Sequence, residues 1–140
     1  MLLTAGLSTA FATGPYDPNP NQQVLDEFKK EFYAAQNVSW EKQDDYEKAT
    51  FLLGGSRIMA WFNTIGQLEG CLREILFSQL PLSVMLAVDK RFAAADILEV
   101  REITNLDGTS YRIRLEANDK KFRIKVSSTG SIDEVEKLRK

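Results

Sequence analysis

Along residues 24–36 the apolar positions are Val24, Leu25, Phe28, Phe32 and Ala35, recurring three and four apart. That spacing lines one stripe of a helix, which Asn37 is expected to end. Beyond it the period shortens to two. Val38 and Trp40 share one side of residues 38–41, and Ala49, Phe51 and Leu53 share one side of residues 46–53. Gly54-Gly55 signals a hairpin turn into a returning strand at 57–63. Thr64-Ile65-Gly66 turns the chain again. Residues 67–77 fit either a helix stripe through Leu68, Leu72 and Ile75 or a long strand, and the hairpin rhythm favours the strand.

The same succession then recurs. Pro81 suits the first turn of a helix, and Val84, Met85, Val88 and Phe92 carry the stripe over residues 82–94, with Asp96 ending it. Residues 97–104 are extended, and Asp107-Gly108 is a turn. In 111–117, Tyr111, Ile113, Leu115 and Ala117 alternate with Arg112, Arg114 and Glu116. After Asn118-Asp119, Phe122, Ile124 and Val126 alternate with Lys121, Arg123 and Lys125. Thr129-Gly130 turns into residues 131–138, a last strand or short helix. Helix plus four strands thus occurs twice, at 24–77 and 80–138. Val38 aligns with Ile97 at an offset of 59, and the later strands align at 64. A turn absorbs the extra five residues without disturbing the strand faces. One such unit alone is at the edge of independent stability. The expected fold is α+β: a tandem repeat of a helix plus four antiparallel strands. It forms one continuous eight-stranded sheet with both helices on one face and the other face bare.

Composition narrows the chemistry. The chain has 140 residues, 44% apolar and 27% charged, with net charge −2. It is too apolar for disorder, and no overall field favours nucleic acid. There is no histidine and one cysteine, Cys71. Imidazole-based catalysis, His/Cys zinc sites and intramolecular disulfides are thereby excluded. No enzyme activity, metal or cofactor is expected, and Cys71 reads as a buried small hydrophobe. Asp44-Asp45 and residues 104–110 read as turns rather than as calcium or phosphate loops. The uncharged segment at 1–12 ends in Ala10-Phe11-Ala12, the small-x-small pattern of a processed export signal, and is too short to span a membrane as a helix. Residues 13–23 hold three of the four prolines and read as a linker, with order beginning near Asn21.

A family resemblance rests on several short motifs. They are Ala35-Gln36-Asn37-Val38-Ser39-Trp40, Tyr46-Glu47-Lys48-Ala49-Thr50-Phe51, Ala60-Trp61-Phe62 with Gly66 and Leu68, and Leu80-Pro81. Together they resemble the secreted PepSY-like proteins of Bacteroidetes, over essentially all of residues 24–138. That resemblance implies a fold similar to the β-lactamase inhibitory protein, a periplasmic or secreted location and no catalytic residue to carry over. Unlike that inhibitor, this chain has a single cysteine, so the fold is all that the likeness implies.

Residues opposite the expected core stripes are the binding candidates: Leu52, Met59 and Trp61 as apolar anchors, and Arg112, Arg114 and Arg123 as a cationic field. Trp, Met and Arg are the types enriched at protein interfaces. The expected partner is a protein or peptide, preferably with acidic groups opposite the arginines. Residues 58–62 are nearly all bulky and apolar, so alternation also allows Trp61 and Met59 to be core. The arginines also read as a solvated face balanced by Glu99, Glu102 and Glu116. The function expected is a non-catalytic exported protein-binding module, inhibitor-like or peptidase-associated. The alternative is a periplasmic small-ligand or envelope-stress binding protein with an apolar cleft between helices and sheet.

Overall fold

The computed structural model describes residues 19–139, so the export segment expected at 1–12 lies outside the described residues, as does the start of the linker. Helix α1 (Gln22–Glu31) begins inside the stretch expected to be linker, because Asn21 caps it. The Asn21 side chain accepts the Val24 backbone N–H at 3.0 Å, a contact of the kind worth about 1 kcal/mol. Four strands follow: β1 (Gln36–Gln43), β2 (Tyr46–Leu53), β3 (Ser56–Phe62) and β4 (Leu68–Ile75). A single 3₁₀ turn at Phe77–Gln79 leads to α2 (Leu82–Arg91). Then come β5 (Asp96–Asn105), β6 (Gly108–Ala117), β7 (Lys120–Ser127) and β8 (Ile132–Leu138).

All eight strands join one open sheet in chain order, every neighbouring pair antiparallel. Residues 67–77 resolve as the central strand β4 and residues 131–138 as the edge strand β8.

Both helices stop sooner than their apolar stripes predict. Asn37 does not end α1; it lies in β1 with a left-handed φ of 55°, a conformation that asparagine tolerates better than most residues. Phe32 leaves the helix at φ −128° and donates its backbone N–H to the Phe28 carbonyl at 2.8 Å. Phe92 does the same to Val88, at φ −124° and 2.8 Å. Each is followed by a tight turn, Ala35 N–H to Phe32 O at 3.0 Å and Ala95 N–H to Phe92 O at 3.2 Å. The stripe continues because these turns carry Phe32, Ala35, Phe92 and Ala95 back onto the core without helix. Equivalent caps are thus sixty residues apart, Phe32 to Phe92, one more than the alignment of Val38 with Ile97 implies. Strand register keeps the offset of sixty, since Trp40 pairs with Ala49 and Val100 with Ile113, and β1 and β5 carry equivalent bulges, between Gln36 and Ser39 and between Ile97 and Glu99; the second hairpin is therefore longer by four residues rather than five. The β1 bulge also spoils the expected partnership there: Trp40 packs on the core while Val38 is 38% exposed.

Two apolar clusters hold the elements together. In the first, Val24 and Phe28 of α1 pack on Ala49, Phe51, Ile58, Ala60 and Phe62. In the second, Val84 and Val88 of α2 pack with Leu80, Ile75, Val100, Tyr111, Ile113, Leu115, Ile124 and Val126. Full burial of one such large side chain stabilises by roughly 1.5–3 kcal/mol.

The turns at the ends of β3 and β7 dock on the helix starts. Gly66, at φ 87°, lies where a Cβ would be 3.0 Å from the Gln23 carbonyl oxygen. Gly130, at φ 96°, lies where it would be 2.7 Å from that of Ser83. Asn21 Nδ2 donates to Thr64 O at 3.2 Å, and Ser83 Oγ donates to Ser128 O at 3.0 Å. These close approaches leave no room for a side chain.

Candidate functional site

Directly opposed residues in a sheet share a face, so register assigns every strand residue to a side. One row runs Phe51, Ile58, Arg73, Glu102, Tyr111, Val126 across six strands. Its ends belong to the two apolar clusters. Its middle is polar: Arg73 Nε donates to Glu102 Oε1 at 3.1 Å, and the Tyr111 hydroxyl donates to Glu102 Oε2 at 3.4 Å. Burial, helped by the charge of Glu102, raises the Tyr111 pKa. Glu102 therefore serves Arg73 rather than the arginines expected to need it.

The opposite side carries all six candidates. Thr50, Met59, Leu72 and Ile103 face one another in one row, and Lys48, Trp61, Gly70 and Asn105 in the next. Trp61 is half-buried on this side, not in the core with Phe62. Its indole N–H donates to Gln43 Oε1 at 3.0 Å, which fixes the ring over the end of the β1–β2 hairpin. Leu52 lies at the margin, 36% exposed and opposite Arg57.

Further along the same side the sheet is cationic. Arg101, Arg112 and Lys125 stand directly opposite one another on β5, β6 and β7, and so do Arg114 and Arg123 on β6 and β7. Glu99 receives Arg101 at 3.0 Å and Arg114 at 3.5 Å, and Glu136 receives Arg123 at 3.0 Å. Exposed pairs of this kind contribute about 0–1 kcal/mol each. Arg112 is exposed and makes no ion pair among the described residues. Arg101 Nε is buried with no protein acceptor among them.

Two cavities open on this side. A groove of about 430 Å³ is lined by Trp61, Gly70, Leu72, Ile103, Asn105 and Arg112, among others. A basin of about 470 Å³ is lined by Glu99, Arg101, Arg112, Arg114 and Arg123. Arg112 belongs to both. At the rim of the groove the Tyr46 hydroxyl donates to Glu69 Oε1 at 3.2 Å, and this bond raises the tyrosine pKa. Of the six candidates, Trp61 and Arg112 line the groove, and Arg112, Arg114 and Arg123 line the basin. Leu52 and Met59 share the side but line neither cavity.

Gly70, Leu72, Ile103 and Arg101 were not singled out by the sequence. Residues 67–77 fit two periods, and β5 places charged Glu102 on the core side and apolar Ile103 on the outer side. Cys71 is half-buried beside the α1 cluster. Burial first, and then the charge of Glu31, pushes its thiol up to about 11. Among the described residues no group of three or more His, Cys, Asp or Glu side chains is arranged to hold a metal ion. Nor is any helix there long and apolar enough to cross a membrane.

The fold and this surface define an α+β protein built on an open eight-stranded antiparallel sheet, with one side of mixed apolar and cationic character. Known structures share that architecture. A BLIP-like protein from Bacteroides fragilis superposes with a TM-score of 0.78 at 22% identity, over 90% of this chain and 91% of that one. A DUF2874 family protein from Bacteroides ovatus gives 0.78 at 22%, over 86% and 89%. A protein from Bacteroides eggerthii with a provisional periplasmic label gives 0.77 at 16%, over 86% and 90%. At these identities the likeness establishes the fold, which is BLIP-like. None of the three carries an enzyme description. No protein-family model matches the chain, and no curated protein matches its sequence.

Proposed function

We propose that the chain is a non-catalytic, exported protein-binding module of the PepSY-like kind, inhibitor-like or peptidase-associated. It is built from two tandem helix-plus-four-strand units whose helices cover one side of the sheet. The other side receives the partner. The repeat is supported by the matched caps at Phe32 and Phe92 and by the matched glycine turns on Gln23 and Ser83. The common side for the helices is supported by register: Ile58 and Ala60, under α1, oppose Arg73 and Cys71, which have the parity of Ile75, under α2. Export is supported by the small-x-small ending at residue 12 and by the periplasmic label of one structural neighbour.

The single observation that carries the reading is that six residues selected by type and parity all fall on the side opposite both apolar clusters. The groove lies on that side too, whereas the space between α1 and the sheet is filled by Val24, Phe28 and Phe51. A partner is therefore expected to dock on the open side rather than in a cleft under the helices. The test uses the protein as bait in extract of its own host, alongside Trp61→Ala and Arg114→Ala. The expected result is a partner retained by wild type and depleted with both variants. Retention unchanged by either substitution would overturn the reading.

A further inference from the structure

The two halves of the open side treat charge differently. On β1 and β2 opposite charges face each other directly: Glu41 with Lys48 at 2.9 Å. On β5, β6 and β7 like charges do so: Arg101 against Arg112, Arg112 against Lys125, Arg114 against Arg123. Like charges directly opposed in a sheet are destabilising. A face selected only for solubility has no cause to keep three such oppositions beside one another. Local rules are broken in this way where a site requires it.

The cationic patch is also bounded. Its longer row begins at Glu74, opposite Arg101, and ends at Glu134, opposite Lys125. Its shorter row runs from Glu99 to Glu136. A polyanion backbone needs a continuous cationic track; this patch suits a few carboxylates. The apolar groove adjoins it, with Gly70 between Trp61 and Asn105 in direct register, so the floor has no side chain there. A Cβ at Gly70 would be no closer than 3.4 Å to its surroundings, so the opening is not imposed by crowding.

The geometry points to an acidic protein segment as the occupant: one bulky apolar side chain over Gly70, against Trp61, Leu72 and Ile103, and neighbouring carboxylates on Arg112, Arg101 and Arg114. This rests on the open side being the docking side and adds the chemistry of what docks. Arg112 is the hinge of the recognition, since it alone among the arginines walls both cavities and lacks an internal carboxylate partner. Planar guanidinium groups suit bidentate capture of carboxylates.

The test is selection of random short peptides, displayed on phage, against the whole protein. Recovered peptides are then titrated on wild type, Trp61→Ala, Gly70→Leu and Arg112→Glu, each first checked for a native circular dichroism spectrum. The expected winners carry Asp or Glu next to an aromatic or long aliphatic residue. Arg112→Glu should weaken them by about tenfold or more, as loss of a charged hot spot does, and added salt should weaken them further. Gly70→Leu should block them by filling the floor; if it does not fold, Arg112→Glu, at an exposed position, still decides. Acid-free winners lost on Trp61→Ala would overturn this inference and leave the docking side standing. Winners indifferent to both Trp61→Ala and Arg112→Glu would overturn both. A library yielding no peptide that wild type holds and Arg112→Glu releases also overturns the inference.

Discussion

In the first half of the sheet the helix rests on rings; in the second it rests on branched aliphatic chains. Phe28 of α1 meets Trp40 and Phe51 at centroid distances of 5.1 Å each and Phe62 at 6.2 Å. Val84 and Val88 of α2 pack with Ile75, Leu80, Val100, Ile113, Leu115, Ile124 and Val126, where Tyr111 is the one buried ring and the ring pair Phe92 and Phe122, at 5.4 Å, lies at the margin. The backbone around these two cores is nonetheless matched down to the caps and the glycine turns. Core identity can drift while volume and parity are kept. The outer sides diverge in kind: the first half brings Tyr46 and Trp61 to a groove that it shares with Ile103, Asn105 and Arg112 of the second, and the arginine basin belongs to the second half alone. What differs most between the halves is therefore what solvent or a partner meets.

The helices differ as well. The outer surface of α1 is polar, with Gln22 Nε2 donating to Asp26 Oδ1 at 2.8 Å. On α2, Leu82 and Leu86 are 68% and 59% exposed. This is the rival surface, and any test of the open side must include it.

The largest effects are expected in the cores. Phe51→Ala should cost about 3–5 kcal/mol and Ile113→Ala about 2–5 kcal/mol, read by urea denaturation. Because β4 and β5 pair continuously from Gly70–Asn105 to Ile75–Val100, each variant should still unfold in one transition. Two separated transitions would show that the halves are independent. Next come the turns. Gly130→Ala should lose about 1 kcal/mol or more, and Gly66→Ala less, since the clash on Ser83 is tighter than that on Gln23. The reverse order in matched denaturation curves would break the equivalence of the two docked turns.

A smaller effect has the opposite sign. Arg112→Glu should stabilise the fold by about 0.2–1 kcal/mol, by replacing two like-charge oppositions with attractive ones. A lower melting temperature would contradict the account of the basin. The last effect is confined to high pH. Cys71 has a folded pKa raised from 9.0 to about 11. The native state therefore holds the proton longer than the unfolded chain. Its contribution to stability is complete below pH 9, falls between 9 and 11 and is gone above. Tyr46 and Tyr111 are also raised and add to the fall from pH 10 upward. Cys71→Ala should flatten the stability profile only where the decline begins. The same slope in both proteins would show that the thiol is not desolvated.

Strict alternation made β6 and β7 legible at once, because each core residue there is flanked by charge. It also sets Arg112, Arg114 and Arg123 opposite the core residues, the side that strand register gives them. Trp61 was left open by its apolar neighbours; pairing with Lys48 and Gly70 decides it. The helix ends were overrun because Phe32 and Phe92 keep the helical spacing while leaving the helix. The alternation is least informative at the centre of the sheet. Arg73 and Glu102 neutralise each other on the core side, which inverts the polar pattern of β4 and β5 and hides Leu72 and Ile103. Periodicity reads single side chains, and a pair that satisfies itself across strands is invisible to it.

The central claim is that the side bearing Trp61 meets the partner. Its most direct test is a photo-reactive phenylalanine placed at Met59, at Arg112 or at Leu86 in the protein expressed in its own host, followed by irradiation. Adducts to one partner from Met59 and Arg112, and none from Leu86, are the predicted result; adducts from Leu86 with none from the other two would contradict it.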